Sequence, residues 1–137
     1  MKINNLKLPK GNPKGIDAKH PFVHHDKNVV LKPGNVSLDE KLGGYYIDMT
    51  PAIVHYTDHH YGQFDARGVS MNGFGKYANY YPINIAQYGF ILHDMYIKDK
   101  SDKDVEEVLF ACLDWFESNK DEYFNTICWR CTYYNIK

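Results

Sequence analysis

Several things that would commit this chain to a membrane or to nucleic acid are missing from it. No apolar run approaches the ~20 residues needed to cross a bilayer. The first ten residues carry lysines but no apolar core, so they do not form a secretory signal. Lys and Arg number 16 against 17 Asp and Glu, a net charge of −1, and no basic stripe is present to track a duplex. Neither membrane nor nucleic acid is expected as a partner. Cys112, Cys128 and Cys131 are an odd set, and without an export signal they read as reduced thiols in a cytoplasmic chain. No internal repeat or low-complexity tract is visible. A length of 137 residues fits one domain with a core of its own.

What the chain has in quantity is aromatic side chains: 12 Tyr, 7 Phe and 2 Trp. Tyrosine joins a flat apolar face to a polar tip, which suits both the edge of a core and a carbohydrate cleft. The clearest period lies in residues 77–96. Ile85, Tyr88, Gly89, Leu92 and Tyr96 follow i, i+3, i+4, i+7, i+11, one face of a helix. Ile83, Ala86, Phe90 and Ile97 form a second apolar line beside it, so this helix should be buried between neighbours. Pro82 suits the first helical position, where its missing N–H costs nothing, and Tyr80 and Tyr81 precede it in extended backbone. The second line needs cover from another subunit, as in a symmetric dimer, from the N-terminal arm for part of its area, or from residues 45–61 folding back.

Around this helix, about residues 82–98, the rest is read in order. Residues 1–44 hold short apolar runs among prolines and glycines, an extended arm with room for one short strand. Such an arm wraps a partner surface or stays loosely ordered. Residues 45–54, with Pro51 inside, suggest an edge strand or extended segment, and residues 55–75 a polar, glycine-rich loop. A second helix is expected over about residues 102–119, with Val105, Val108, Leu109, Cys112 and Phe116 as its buried stripe and a Ser101–Asp104 pair at its start. A short connector favours antiparallel packing, with Leu92 and Phe90 near Leu109, Cys112 or Phe116. Residues 124–137 read as an extended tail. The fold class is mainly α, a helical hairpin behind an extended, irregular N-terminal half.

The run Tyr81-Pro82-Ile83-Asn84-Ile85-Ala86-Gln87-Tyr88-Gly89 resembles the YPIxIAQYG signature of the D-glucuronyl C5-epimerases, with Asn84 where the family more often carries glutamine. Those enzymes invert C5 of glucuronate to give iduronate in heparan-type polysaccharides. A looser likeness reaches upstream through Gly68-Val69. Downstream, Phe110-Ala111-Cys112-Leu113-Asp114-Trp115 and then Asn119-Lys120-Asp121-Glu122 resemble the start of the family's catalytic domain, a toroid of paired helices. Where the family often continues Gly-Gly-Trp-Pro, this chain has Tyr123-Phe124-Asn125-Thr126, so the turn must differ. Residues 45–137 thus form an epimerase-like segment. The resemblance implies a uronic-acid polysaccharide as partner, no cofactor, and substrate contacts through Tyr80, Tyr81, Gln87 and Tyr88. It also implies that the main catalytic tyrosines and acid lie beyond Lys137. The chain alone is then expected to be inactive, a partial form completed by further copies or a complementing chain.

Epimerisation removes a proton alpha to a carboxylate and returns one from the opposite face, which needs a base, an acid and donors for the developing charge. Tyrosine serves only if its pKa of ~10 is lowered by cations or hydrogen bonds. Arg67 is the nearby cation whose planar fork suits a uronate carboxylate. The bland alternatives are that Gln87 and Tyr88 pack inside a helical core and that Arg67 is an ordinary loop arginine. His55, His59 and His60, with His24-His25-Asp26, raise a metal site, but the zinc spacing is incomplete and a solvated loop is preferred. Cys128-Trp129-Arg130-Cys131 has redox spacing without the strand-then-helix context, so two ordinary thiols are preferred. Beside the epimerase reading stands a second class, a non-catalytic carbohydrate-binding or assembly module that self-associates.

Overall fold

The computed structural model describes residues 32–34, 43, 47–59 and 61–131. Most of the arm, together with His24, His25, Asp26 and His60, lies outside the described residues. Among the described residues three α-helices appear in order: a short α1 (Ile53–Thr57), then α2 (Pro82–Lys98) and α3 (Lys103–Ser118). Two antiparallel ladders flank them, β1 (Lys32–Pro33) with β2 (Ile47–Asp48), and β3 (Asp121–Tyr123) with β4 (Thr126–Cys128). About half of the described residues are helical.

Helix α2 starts where proline permits. Pro82 occupies the first turn and Tyr81 ahead of it is extended, with φ −122° and ψ 105°. The Tyr81 carbonyl accepts from Asn84 N at 3.0 Å and Ile85 N at 3.1 Å, which closes the first turn. Helix α3 is capped by Asp102, whose carboxylate accepts from Val105 N at 3.1 Å. That corrects the expected Ser101–Asp104 cap by one residue. Ser101 is already engaged, donating N–H and hydroxyl to Asp99 Oδ1 at 3.0 and 2.6 Å.

The two long helices run antiparallel. Tyr80, just ahead of α2, meets Trp115 near the end of α3. Their shared core holds Ile85, Tyr88, Ile91 and Leu92 from α2 with Val105, Val108, Leu109 and Cys112 from α3. Leu92 is fully buried there, but Phe90 is 40% exposed and outside the core. Two residues along a helix is a rotation of about 200°, so these side chains cannot share one face.

Of the strand expected within residues 45–54, Ile47–Asp48 is formed as β2, and the loop expected over residues 55–75 begins only after α1. Backbone from Thr50 onward is helical: a 3-10 turn at Thr50–Ala52 with Pro51 in it, then α1. The cause is a buried pair at i, i+3, Ile53 and Tyr56. Their burial outweighs the extended preference of a β-branched, aromatic run. This segment does fold back on α2, but on the side of Gln87 and Ile91. Asp94 Oδ2 accepts Met49 N at 3.2 Å, and Lys98 Nζ reaches Asp48 at 3.2 Å and Thr50 Oγ1 at 2.8 Å. Ile83 stays 58% exposed.

Residues 61–80 form a knot of short bridges, Gly62 with Gly73, Phe64 with Ser70, and Asn72 with Asn79. Gly62 is required at its crossing. Its φ is +153°, and an added Cβ would collide with Met71 O and the Gly73 backbone. The extended tail expected over residues 124–137 is described only to Cys131; there it turns at Phe124 and Asn125, at φ 45° and 61°, and β4 pairs back on β3 as a hairpin. Two consecutive positive φ values describe a type I′-like turn, which fits the strand twist. The indole of Trp129 ties the hairpin to α3, donating to Phe116 O at 2.8 Å.

Candidate functional site

The turn Asp65-Ala66-Arg67-Gly68 organises one end of the helical hairpin. Asp65 Oδ1 accepts from Arg67 N and Val69 N, both at 2.9 Å, which fixes the turn by its own side chain. Gly68, at φ 85°, supplies the left-handed step. Asp65 Oδ2 is left to accept the Tyr80 hydroxyl at 2.9 Å. Tyr80 in turn lies against the Trp115 ring, centroids 5.5 Å apart at 42°. Arg67 Nη2 projects beside them and meets Asp114 at 2.6 Å, with both side chains more than half exposed.

Two of the expected contacts, Arg67 and Tyr80, are thus brought together through Asp65. An exposed ion pair of the Arg67–Asp114 kind is worth only ~0–1 kcal/mol, so a carboxylate ligand can take the place of Asp114 with little loss. The electrostatics also define what the site cannot do. Burial and then the hydrogen bond to Asp65 push the Tyr80 phenol up to about 12, although Arg67 pulls the other way. A phenol held that high donates a hydrogen bond and does not act as a base near neutrality. Burial, then the Asp65 charge, pushes the nearby Cys112 thiol up to about 12, so it is no nucleophile.

The remaining expected contacts are elsewhere. Tyr81 is half-buried at the start of α2. Tyr88 is fully buried, stacked on Tyr56 at 4.6 Å and tilted against Phe64 at 5.5 Å. Among the described residues its hydroxyl has no hydrogen-bond partner, and burial raises its pKa strongly. It is a core residue. Gln87 lines an open pocket of about 220 Å³ together with His55, Tyr56 and Tyr61 over a floor of Met49, Ala52 and Ile91. No lysine or arginine lines that pocket. Asn84 is a brace: its amide donates to Asn72 Oδ1 at 2.6 Å, and its carbonyl accepts the Tyr56 hydroxyl at 3.1 Å.

Among the described residues no group of three or more His, Cys, Asp or Glu is arranged to hold a metal ion. His59 Nδ1 sits 3.3 Å from Gly62 O with its ring edge-on to Phe64, and burial keeps its pKa low. Cys128 and Cys131 are free thiols. Sequence reasoning missed Asp65, Trp115 and Asp114 as parts of one cluster. The Asp-x-Arg-Gly turn signature was readable at Asp65, whereas the approach of Trp115 and Asp114 depends on how α3 returns along α2.

No protein-family model, curated protein or solved structure matches the chain.

Proposed function

We propose that the chain is a saccharide-holding segment for a uronic-acid polymer, similar to the front of a D-glucuronyl C5-epimerase toroid, and that it binds without moving the C5 proton. The observation that carries this is the Arg67–Tyr80–Trp115 cluster. It joins an exposed guanidinium, which fits a carboxylate bidentately, to an aromatic surface of the kind sugars stack on. Binding without turnover is supported by the phenols. Tyr80 is held protonated, and Tyr56 and Tyr88 are driven the same way by burial. None of these three phenols has the lowered pKa that proton abstraction needs.

On this reading the epimerase activity belongs to a larger assembly, formed by further copies or a complementing chain that closes the helical ring. The free thiols accord with a cytoplasmic setting. Calorimetric titration with heparosan oligosaccharides tests the binding half. Arg67→Ala should weaken affinity by about tenfold or more, the loss of a charge-assisted hydrogen-bond pair. Incubation with heparosan in deuterated water tests the other half. Deuterium at C5 above a no-protein control would show that the chain turns over its substrate.

A further inference from the structure

The open pocket of about 220 Å³ beside α2 has no part in the Arg67–Tyr80–Trp115 cluster. Gln87 and Ile91, one helical turn apart, form its α2 side, and Ala52, His55 and Tyr56 come from the segment folded against that helix. Its walls are braced by contacts within the chain. Tyr56 is stacked on Tyr88 at 4.6 Å and donates its hydroxyl to Asn84 O at 3.1 Å. Tyr61 leans on both Tyr56 and His55, with ring centroids 5.2 and 6.1 Å apart. Met49 is pinned through its N–H, which donates to Asp94 Oδ2 at 3.2 Å. Walls already held in this way need little ordering when a ligand enters.

The lining limits what can enter. Met49, Ala52 and Ile91 offer apolar surface, and the rings of Tyr56 and Tyr61 add flat surface on which another ring can pack. No Asp, Glu, Lys or Arg is among the described residues that line the pocket. A charged ligand would lose its hydration there and gain no counter-charge. The Tyr56 hydroxyl is committed to Asn84, whereas the Gln87 carboxamide makes no hydrogen bond with its side chain among the described residues. A carboxamide presents a donor and an acceptor in one plane, which another amide edge can meet with two hydrogen bonds. A pyranose brings several hydroxyls, more than this lining can satisfy. The volume falls below the ~300–1,000 Å³ of pockets for drug-sized ligands, which restricts the occupant to one small ring.

We propose that this pocket binds an uncharged, flat ring carrying a carboxamide or lactam edge. The ring packs against Tyr56 and Tyr61 over the apolar floor, and the amide edge pairs with the Gln87 carboxamide. This second site shares no residue with the Arg67–Tyr80–Trp115 cluster, so the two are tested separately.

Benzamide and benzoate provide the test, because they match in size and differ in charge and in the amide edge. NMR titration of the full chain at pH 8, where a histidine of ordinary pKa (~6.5) is neutral, should give benzamide shifts at Gln87, Tyr61 and Ile91. A ligand of roughly nine non-hydrogen atoms calls for concentrations up to about 10 mM. Benzoate should bind at least ~tenfold more weakly, having no cation to meet. Gln87→Met keeps the side-chain length and removes the amide, and should weaken benzamide at least ~fivefold. If that variant does not fold by circular dichroism, the comparison of benzamide with benzoate on the unaltered chain decides the matter. Equal binding of the two, tighter binding of methyl glucoside at the same residues, benzamide shifts elsewhere or none, or an affinity indifferent to Gln87→Met in the folded variant would each overturn the proposal.

Discussion

Replacing Tyr88 with phenylalanine separates a substrate-contacting tyrosine from a structural one. The ring is fully buried between Tyr56 and Phe64, and phenylalanine keeps both ring contacts. Only the hydroxyl is lost, and it is buried without a partner among the described residues. Holding such a group away from water costs ~1–3 kcal/mol, which its removal recovers in part. Against this stands the small void left by one oxygen, about 0.5 kcal/mol at ~24 cal/mol per Å³. The balance is a gain of roughly 0.5–2 kcal/mol. Urea unfolding reads it as a higher midpoint at unchanged slope. Saccharide affinity should not move. A loss beyond about 1 kcal/mol would mean the hydroxyl has a partner in the folded chain, and the placement of Tyr88 in an apolar core would be wrong.

Three other changes probe the frame. An added Cβ at Gly89 meets nothing within 4 Å, so Gly89→Ala should stabilise α2 by ~0.5–1 kcal/mol, seen as a rise of a few degrees in Tm; a fall would mean that position is crowded. Gly62→Ala has both a positive φ and a backbone collision against it, and should lose ~2 kcal/mol or more, while an unchanged urea midpoint would refute the crossing with Gly73. Tyr80 has a folded-state pKa raised to about 12 from the usual 10. Its contribution is therefore fully present below pH ~10 and is lost as pH rises toward 12, so stability should fall through that window. Phenolate absorbance during alkaline titration should show a late-ionising tyrosine that Tyr80→Phe removes.

The helical half of this structure was legible because its signals are local. Ile85, Tyr88 and Leu92 repeat at helical spacing, Pro82 marks the start, and the acid-rich opening of α3 suits a helix N-terminus. Where sequence reasoning failed, a distant contact decided the outcome. Nothing near Ile53 and Tyr56 announces a helix; they form one because α2 offers a core to bury them in. Phe90 belongs to the second apolar line of α2, and helical rotation carries it away from the α3 side that buries Leu92, against the expectation that both meet α3. The hairpin at Phe124 and Asn125 was hidden because phenylalanine rarely takes a positive φ, so no Asn-Gly or Asp-Gly turn gave it away.

The candidate site was half legible. Arg67 and Tyr80 stood out by residue type, but the link between them is the carboxylate of Asp65, and the surface beside them is Trp115 from a helix that starts 38 residues after Asp65 (Lys103 being residue 103). Gln87 and Tyr88 are neighbours in sequence and yet serve a pocket and a core. One helical step of about 100° is enough to separate them.

Where a uronate saccharide meets this chain decides whether the Arg67–Tyr80–Trp115 cluster is its binding site. Amide and side-chain NMR spectra of the full chain, titrated with a heparosan tetrasaccharide, answer that directly. The largest shifts should fall on the Arg67 side chain, the residues of the Asp65 turn and the Trp115 indole, and Arg67→Ala should abolish them while Gln87→Ala leaves them in place. Shifts centred on His55, Tyr61 and Gln87 that survive Arg67→Ala, or no shifts at millimolar saccharide, would contradict it.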